Sequence, residues 1–536
     1  MHAHVRVLAR WARRAGLVLA LVLALAPARA VVASDGPASR PAIAVTDRGV
    51  IRGTQTAEGR QFLGVPYAAP PVGDLRWRPP QEHARWHGVL DTTAFGPHCA
   101  QTAGSFGLAS TSEDCLFLNV FTPRGFSGAF PHRAPVMVWI HGGALVTGES
   151  DDYDPAPMVA RGVVVVTINY RLGALGFLAH PALAAESARG ISGNFGVQDQ
   201  QAALGWVHRN IRAFGGDPEN VTVFGESAGG LSVHTQLVSP LAAGLFQRAI
   251  VESGAYQLTQ PSLAAAQAAG QAFAAAAGCA DQTAACLRAL PVATILARQT
   301  GGTDGLNVDG VVLPTSIGAA LQSGAFNRVP VMEGSNHDEW RLFVAATEAA
   351  THVPLSAAAY VPAIVATLRV PAAVAAAIAA QYPLSAFGSP SEALGAVGTD
   401  AIFACNAQTA TTALAQRVRT FQYEFADPNA PMLFFPPLSF PTGAYHAAEI
   451  QYVFRIDVSP QPNPGLHGDQ ARLSDAMVTY WTNFARTGDP NLPALRTPVW
   501  PHADASQRFQ SLVPGSPVTA TGFGAEHRCA FWAAGA

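Results

Sequence analysis

Two short apolar runs, Pro135 to Ile140 and Gly162 to Asn169, are rich in β-branched residues and show no alternation of apolar with polar positions. A strand reads that way when both of its faces are buried, as in a mainly parallel sheet covered by helices. From Gln198 to Phe214 the chain places Leu204, Val207 and Ile211 at helical spacing. A further run, Val221 to Phe224, leads into Gly225-Glu226-Ser227-Ala228-Gly229, and from Gly230 the pattern is again helical. The pattern predicts an α/β protein in the order strand, helix, strand, tight turn, helix. Short strands are also expected at Val329 to Glu333 and Ile450 to Phe454, with loops at Val65 to Pro80 and Phe434 to Gly443. The alanine-rich stretches Leu263 to Ala277 and Pro362 to Ala380 are expected to be packed helices, since Pro362, Arg369 and Pro371 interrupt the second.

The turn after Phe224 carries chemistry. Strand, G-x-S-x-G, helix is the order of a nucleophile elbow, in which the serine occupies a strained backbone conformation at the top of a sheet. Gly225 and Gly229 have a steric reason to be glycine, because a Cβ two residues either side of so tight a turn meets the crossing strand and helix. Ser227 is therefore the candidate nucleophile.

Composition narrows the rest. Arg6, Arg10, Arg13 and Arg14 precede the apolar run Leu17 to Ala26, and Ala28-Arg29-Ala30 offers a small-x-small cleavage site. Residues 1–30 read as a signal peptide, because the apolar core falls short of the roughly 20 residues that span a bilayer. The expected location is secreted or periplasmic, and Arg13-Arg14 leaves Sec and twin-arginine export open. Removal takes five arginines and no acid, moving the formal net charge from −3 to −8. A mildly acidic chain without a basic stripe argues against nucleic acid. The chain has no lysine. That excludes a P-loop lysine, a Schiff base and a serine–lysine dyad, each of which needs the ammonium group. Six cysteines suit an oxidising compartment; Cys99 with Cys115 and Cys279 with Cys286 are the local pairings, leaving Cys405 with Cys529.

A serine hydroxyl needs a base, and the oxyanion it creates needs donors. Histidine is the available base. His446, in Gly443-Ala444-Tyr445-His446, precedes a predicted strand; His467, His502 and His527 compete, whereas His234 falls in the helix directly after the serine. Asp338 and Glu339, after the strand at Val329 to Glu333, both qualify as the acid, and Asp309 is an outside choice. Small residues in His141-Gly142-Gly143-Ala144, following the first apolar run, leave backbone N–H groups free to converge with that of Ala228 on a developing charge. No metal-ligand cluster stands out, and no metal or organic cofactor is required.

Taken together, the chain resembles the type-B carboxylesterase and lipase family, which includes the cholinesterases. The segments that carry the resemblance are Glu113 to Val120 (EDCLFLNV), Asn169 to Gly173 (NYRLG), Gly193 to Gln200 (GNFGVQDQ), Phe214 to Pro218 (FGGDP), the elbow, and Tyr480 to Asn491 (YWTNFARTGDPN). They run in family order from about residue 40 to near the C-terminus.

The resemblance implies an α/β-hydrolase fold, with a large, mostly parallel sheet flanked by helices and helical insertions around an active-site gorge, as one domain over residues 31–536. It implies Ser227 as nucleophile, Glu339 rather than Asp338 as acid, His446 as base, and Gly143, Ala144 and Ala228 as oxyanion donors. It supports the three cysteine pairings above and gives Ser253 and Asp400 supporting positions. Leu145 stands where the family usually has an aromatic residue, which bears on the acyl pocket. The loop from Cys99 to Cys115 lacks the tryptophan with which cholinesterases bind quaternary ammonium, Phe106 being its only aromatic residue. The implied activity is hydrolysis of small-molecule or lipid-like carboxylic esters through an acyl-enzyme, without stable membrane insertion. A lipase for long-chain acylglycerols and a non-catalytic, neuroligin-like binding protein are the alternatives, and the oligomeric state is open.

Overall fold

The computed structural model describes residues 41–535, apart from 105, 126–132, 300–301, 457–460, 462 and 492–496. The predicted signal segment lies outside the described residues. Thirteen strands form one sheet: β1 (Pro41–Val45), β2 (Val50–Gln55), β3 (Gly59–Pro66), β4 (Val89–Asp91), β5 (Phe117–Pro123), β6 (Ala134–Ile140), β7 (Val164–Ile168), β8 (Gly216–Glu226), β9 (Arg248–Glu252), β10 (Val331–Asn336), β11 (Thr420–Phe425), β12 (Phe509–Leu512) and β13 (Val518–Ala520). Their spatial order is β1-β2-β3-β5-β7-β6-β8-β9-β10-β11-β12-β13, with β4 beside β2. From β7 to β12 every neighbouring pair is parallel, while β1, β2, β3, β5 and β13 add antiparallel margins.

The absence of alternation in the central strands has a direct structural cause. Along β6, Val136, Val138 and Ile140 enter one hydrophobic core and Met137 and Trp139 enter another on the opposite face. β7 divides in the same way, Val164, Val166 and Ile168 from Val165, and so does β8, Val223 from Phe224. Each strand feeds two cores, so apolar residues dominate both sets of positions, with Thr167 and Thr222 the small buried exceptions. The helix predicted at Gln198 to Phe214 begins earlier, as Phe195–Asn210, and closes with a 3₁₀ turn at Ile211–Phe214.

Two differences from the sequence pattern matter. The run Ile450 to Phe454 is not a strand: Ile450–Val453 form one helical turn, all buried. Its apolar residues fill a core from a helix, and a run that short cannot be assigned by periodicity alone. The second alanine-rich stretch is two helices, Tyr360–Leu368 and Ala372–Gln381, separated by Arg369 in the left-handed region (φ 54°) and by Pro371. Among the described residues no single helix is long and apolar enough to cross a membrane.

One buried ion pair fastens the loop after β7 to the helix before β8. Arg171 Nε and Nη2 each donate to Asp199 at 2.7 Å, and the Arg171 backbone N–H adds a third bond at 3.1 Å. Removing one partner strands a charge in the interior, which costs about 3–5 kcal/mol. Asp199→Ala is therefore expected to lower the urea midpoint by that equivalent with an unchanged m-value, as read by denaturant titration.

Candidate active site

β8 ends at Glu226, and Ser227 follows with φ 55° and ψ −119° before the helix Ala228–Val238 begins. A non-glycine residue at positive φ is strained and persists only where its surroundings over-determine it. Here the surroundings are the ends of β6 and β9. The Ser227 N–H donates to Glu252 O at 2.9 Å. A Cβ on Gly225 would lie 2.5 Å from Ile140 O, and one on Gly229 only 1.9 Å from the same oxygen. Both distances are below any real carbon contact, so the two glycines let the strand and helix cross close enough to hold the turn.

The acid and histidine loops are joined by four short links. Glu339 is fully buried; its Oε1 accepts the Asn336 N–H at 2.7 Å and its Oε2 pairs with His446 Nδ1 at 2.6 Å. The His446 N–H donates back to Glu339 O at 3.2 Å. Asp338, the chemical alternative for the acid, faces the other loop: its N–H donates to Ala444 O and its Oδ2 accepts the Ala444 N–H, each at 3.0 Å. Asp338 is thus a clamp on the chain two residues before His446. The imidazole is buried against Phe403 and Phe343, with ring centroids 4.8 and 5.4 Å away. Its Nε2 has no hydrogen-bond partner among the described residues and lies 3.2 Å from Oε1 of Glu226, the residue before Ser227. The Ser227 hydroxyl likewise has no partner there. Such contacts commonly tighten only when substrate is seated.

Beyond β6 the chain turns through three consecutive positive φ values, 95° at Gly143, 56° at Ala144 and 64° at Leu145. A Cβ at Gly143 would fall 2.0 Å from Thr147 O, so this position demands glycine. The Tyr170 hydroxyl donates to His141 O at 2.9 Å and the two rings stack, which fixes the entry to the turn. The backbone N–H groups of Gly143, Ala144 and Ala228 have no acceptor among the described residues. Gly142 abuts the elbow, since a Cβ there would lie 3.1 Å from Ser227 Cβ. The turn therefore offers unused donors next to the candidate nucleophile. Leu145 is buried.

Sequence reasoning missed the acids beneath this machinery. Glu226, Glu252 and Glu449 are all fully desolvated, and burial holds each carboxyl above the ordinary range. For Glu226 and Glu449 the neighbouring carboxyls add to that effect, and for Glu252, pushed up to about 8, the Trp481 indole N–H at 2.9 Å partly offsets it. Glu226 sits within the G-x-S-x-G motif, the one signal that pointed to any of them.

The remaining candidates are dispersed. His467 is near Pro464 O, His502 packs on Phe421, and His234 is buried against Glu333 at 2.8 Å. His527 is held between Asp400 and Glu424 at 2.7 Å each; burial opposes its charge, but these bonds outweigh it and raise the ring to about 9. Asp309 caps the backbone of Val311 to Leu313. Asp400 also takes the Tyr382 hydroxyl, and Ser253, at φ 51°, donates its N–H to Gly334 O. The cysteines pair as Cys99–Cys115, Cys279–Cys286 and Cys405–Cys529.

A model of the carboxylesterase family matches residues 40–532. The chain belongs to this family. It is 35% identical over 500 residues to the para-nitrobenzyl esterase of Bacillus subtilis (strain 168), covering 89% of this chain and 95% of that protein. With the human cocaine esterase it shares 34% identity over 521 residues, 90% of this chain and 88% of the relative. A fumonisin B1 esterase of Sphingopyxis macrogoltabida is 41% identical over 311 residues, a match that spans 56% of each chain. Carboxylesterases of this kind are carboxylic-ester hydrolases, and the sheet described above is that of an α/β-hydrolase.

The buried acids give this carboxylesterase a signed pH dependence. The folded protein keeps the Glu252 carboxyl protonated at pH values where the unfolded chain has released the proton, so stability falls as pH rises from about 4.5 to about 8. Glu252→Gln keeps an acceptor for Trp481 and removes that titration. The fall in melting temperature between pH 5 and pH 8, followed by circular dichroism, is expected to be smaller in the variant than in the wild type.

Proposed function

We propose that this carboxylesterase is an exported serine hydrolase in which Ser227 attacks the ester carbonyl. His446, oriented by Glu339, takes the hydroxyl proton through Nε2 as the bond to carbon forms. The negative charge then resides on the former carbonyl oxygen, within reach of the N–H groups of Gly143, Ala144 and Ala228. Collapse expels the alcohol, to which His446 returns the proton, and leaves an acyl group on Ser227. Water repeats the sequence and frees the acid.

The observation that carries this reading is the His446–Glu339 pair at 2.6 Å, which leaves an unpartnered Nε2 3.2 Å from the residue preceding the strained serine. Glu339 fixes the tautomer with the proton on Nδ1, so Nε2 keeps the lone pair that a base needs. The substrate class is a small-molecule carboxylic ester. Export is supported by the N-terminal arginine-then-apolar pattern and by the three disulfides.

Ser227→Ala is expected to fold as the wild type does and to lose at least about 10³-fold in kcat on p-nitrophenyl acetate. Near-native turnover in the purified variant contradicts the mechanism. Expression from the full-length gene is expected to yield an extracytoplasmic protein whose N-terminus, read by mass spectrometry, is Val31; a retained Met1 contradicts the export reading.

A further inference from the structure

A cavity of about 420 Å³ is lined by residues of the loop Trp77 to Gln81, the loop Glu186 to Gly193 and the first turn of the helix Phe195–Asn210. Its lining shares no residue with the elbow, the oxyanion turn or the loop that carries His446. The floor is carbon: Trp77, Leu183, Phe195 and Val312 are buried side chains of the hydrophobic cores, and Leu241 is left 40% exposed. The Trp77 indole N–H is committed to Ala174 O at 2.8 Å, so the ring brings no free donor to this floor.

The polar part of the lining is cationic in balance. Glu186 is its only acid, and Arg288, which stands outside the lining, grips that carboxylate with two bonds of 2.7 and 2.6 Å. These bonds hold the Glu186 carboxyl below its ordinary range. Arg78 reaches only the Glu186 oxygen that Arg288 already engages, at 3.2 Å. The Arg189 guanidinium has no hydrogen-bond or ion-pair partner among the described residues. Its backbone is nevertheless fixed: the Arg189 N–H donates to Ser187 Oγ at 3.3 Å, and the Gly190 N–H closes the turn on Ser187 O at 3.0 Å. The side-chain amide of Gln198, also in the lining, is likewise without a partner among the described residues. One carboxylate thus answers three guanidinium groups.

A carbon floor beneath exposed arginines rewards a ligand that has both a hydrocarbon body and a planar anionic head, since a guanidinium fork matches the two oxygens of a carboxylate. An inorganic anion leaves the floor wet, and a neutral lipid leaves the arginines unanswered. We propose that this cavity binds an aliphatic carboxylate, the acid that ester hydrolysis releases, with Arg78 and Arg189 on its oxygens and its chain over Trp77, Leu183 and Phe195. The source of the acid rests on the ester-hydrolase reading; the site itself does not. Because the lining is separate from the elbow, an occupied cavity leaves Ser227 open to substrate.

Octanoate is the probe. The protein is first treated with a fluorophosphonate, so that acid seated against Ser227 is not counted. Isothermal titration calorimetry at pH 8 is then expected to show one saturable site per chain with a Kd at or below about 1 mM. Replacing both arginines, Arg78→Gln with Arg189→Ala, is expected to weaken binding about tenfold or more. Octylammonium, with the same chain and the opposite charge, is expected not to bind. Both arginines are exposed, so the variant is expected to melt with the wild type, as checked by circular dichroism. Failure of octanoate to saturate, an unchanged Kd in the double variant, or equal binding of octylammonium overturns the site. A second arm reads the source. Untreated enzyme is given methyl octanoate, which carries no charge, and modification of Arg189 by phenylglyoxal is followed by peptide mapping. Labelling that slows as the ester is consumed, and does not slow in fluorophosphonate-treated enzyme, supports the released acid as the ligand; consumption without slowing overturns it. If the ester is not consumed, the ester-hydrolase reading fails while calorimetry still decides the site.

Discussion

Two glycines close on a single atom, the carbonyl oxygen of Ile140. It ends β6, and the crossing of β8 with the helix that follows presses against it so closely that Gly225 and Gly229 have no room for a Cβ. The candidate nucleophile and its candidate oxyanion donors hang from that crossing. It holds Ser227 at positive φ, sets the Ala228 N–H at a helix start where it has no helical acceptor, and places the Gly142–Ala144 turn directly after the residue being pressed. A single steric constraint thus joins the candidate nucleophile to its candidate oxyanion donors, and the parallel sheet supplies the rigidity that maintains it.

The second organising feature is electrostatic. Glu226, Glu252 and Glu449 gather beside Glu339 in a water-poor interior, where lost solvation opposes their ionisation and, for Glu226 and Glu449, neighbouring carboxyls add to it. Glu339 differs from the others in what it receives: an imidazole at one oxygen and a backbone N–H at the other. The same low-dielectric setting extends to Asp152, whose carboxyl burial pushes up to about 7.

Much of this was legible in the chain. Runs such as Val163-Val164-Val165-Val166 betray strands with two buried faces, and the elbow announces itself because its glycines answer a local collision. Local pattern was silent where the structure depends on encounters between distant segments. Asp338 and Glu339 are adjacent and chemically alike, yet one clamps Ala444 and the other meets His446, a division made by the loop's path after β10. Ile450 to Phe454 carries strand-like residues but packs as a helical turn, because its burial comes from the surrounding core and not from a sheet partner.

The most direct test of the central claim is covalent labelling of the purified enzyme with a fluorophosphonate, followed by peptide mapping. The account predicts one phosphonyl group per chain, on Ser227 in the peptide containing Gly225-Glu226-Ser227-Ala228-Gly229, with turnover lost in proportion to labelling. Full activity after exhaustive treatment, or stoichiometric modification of a different residue, would contradict it.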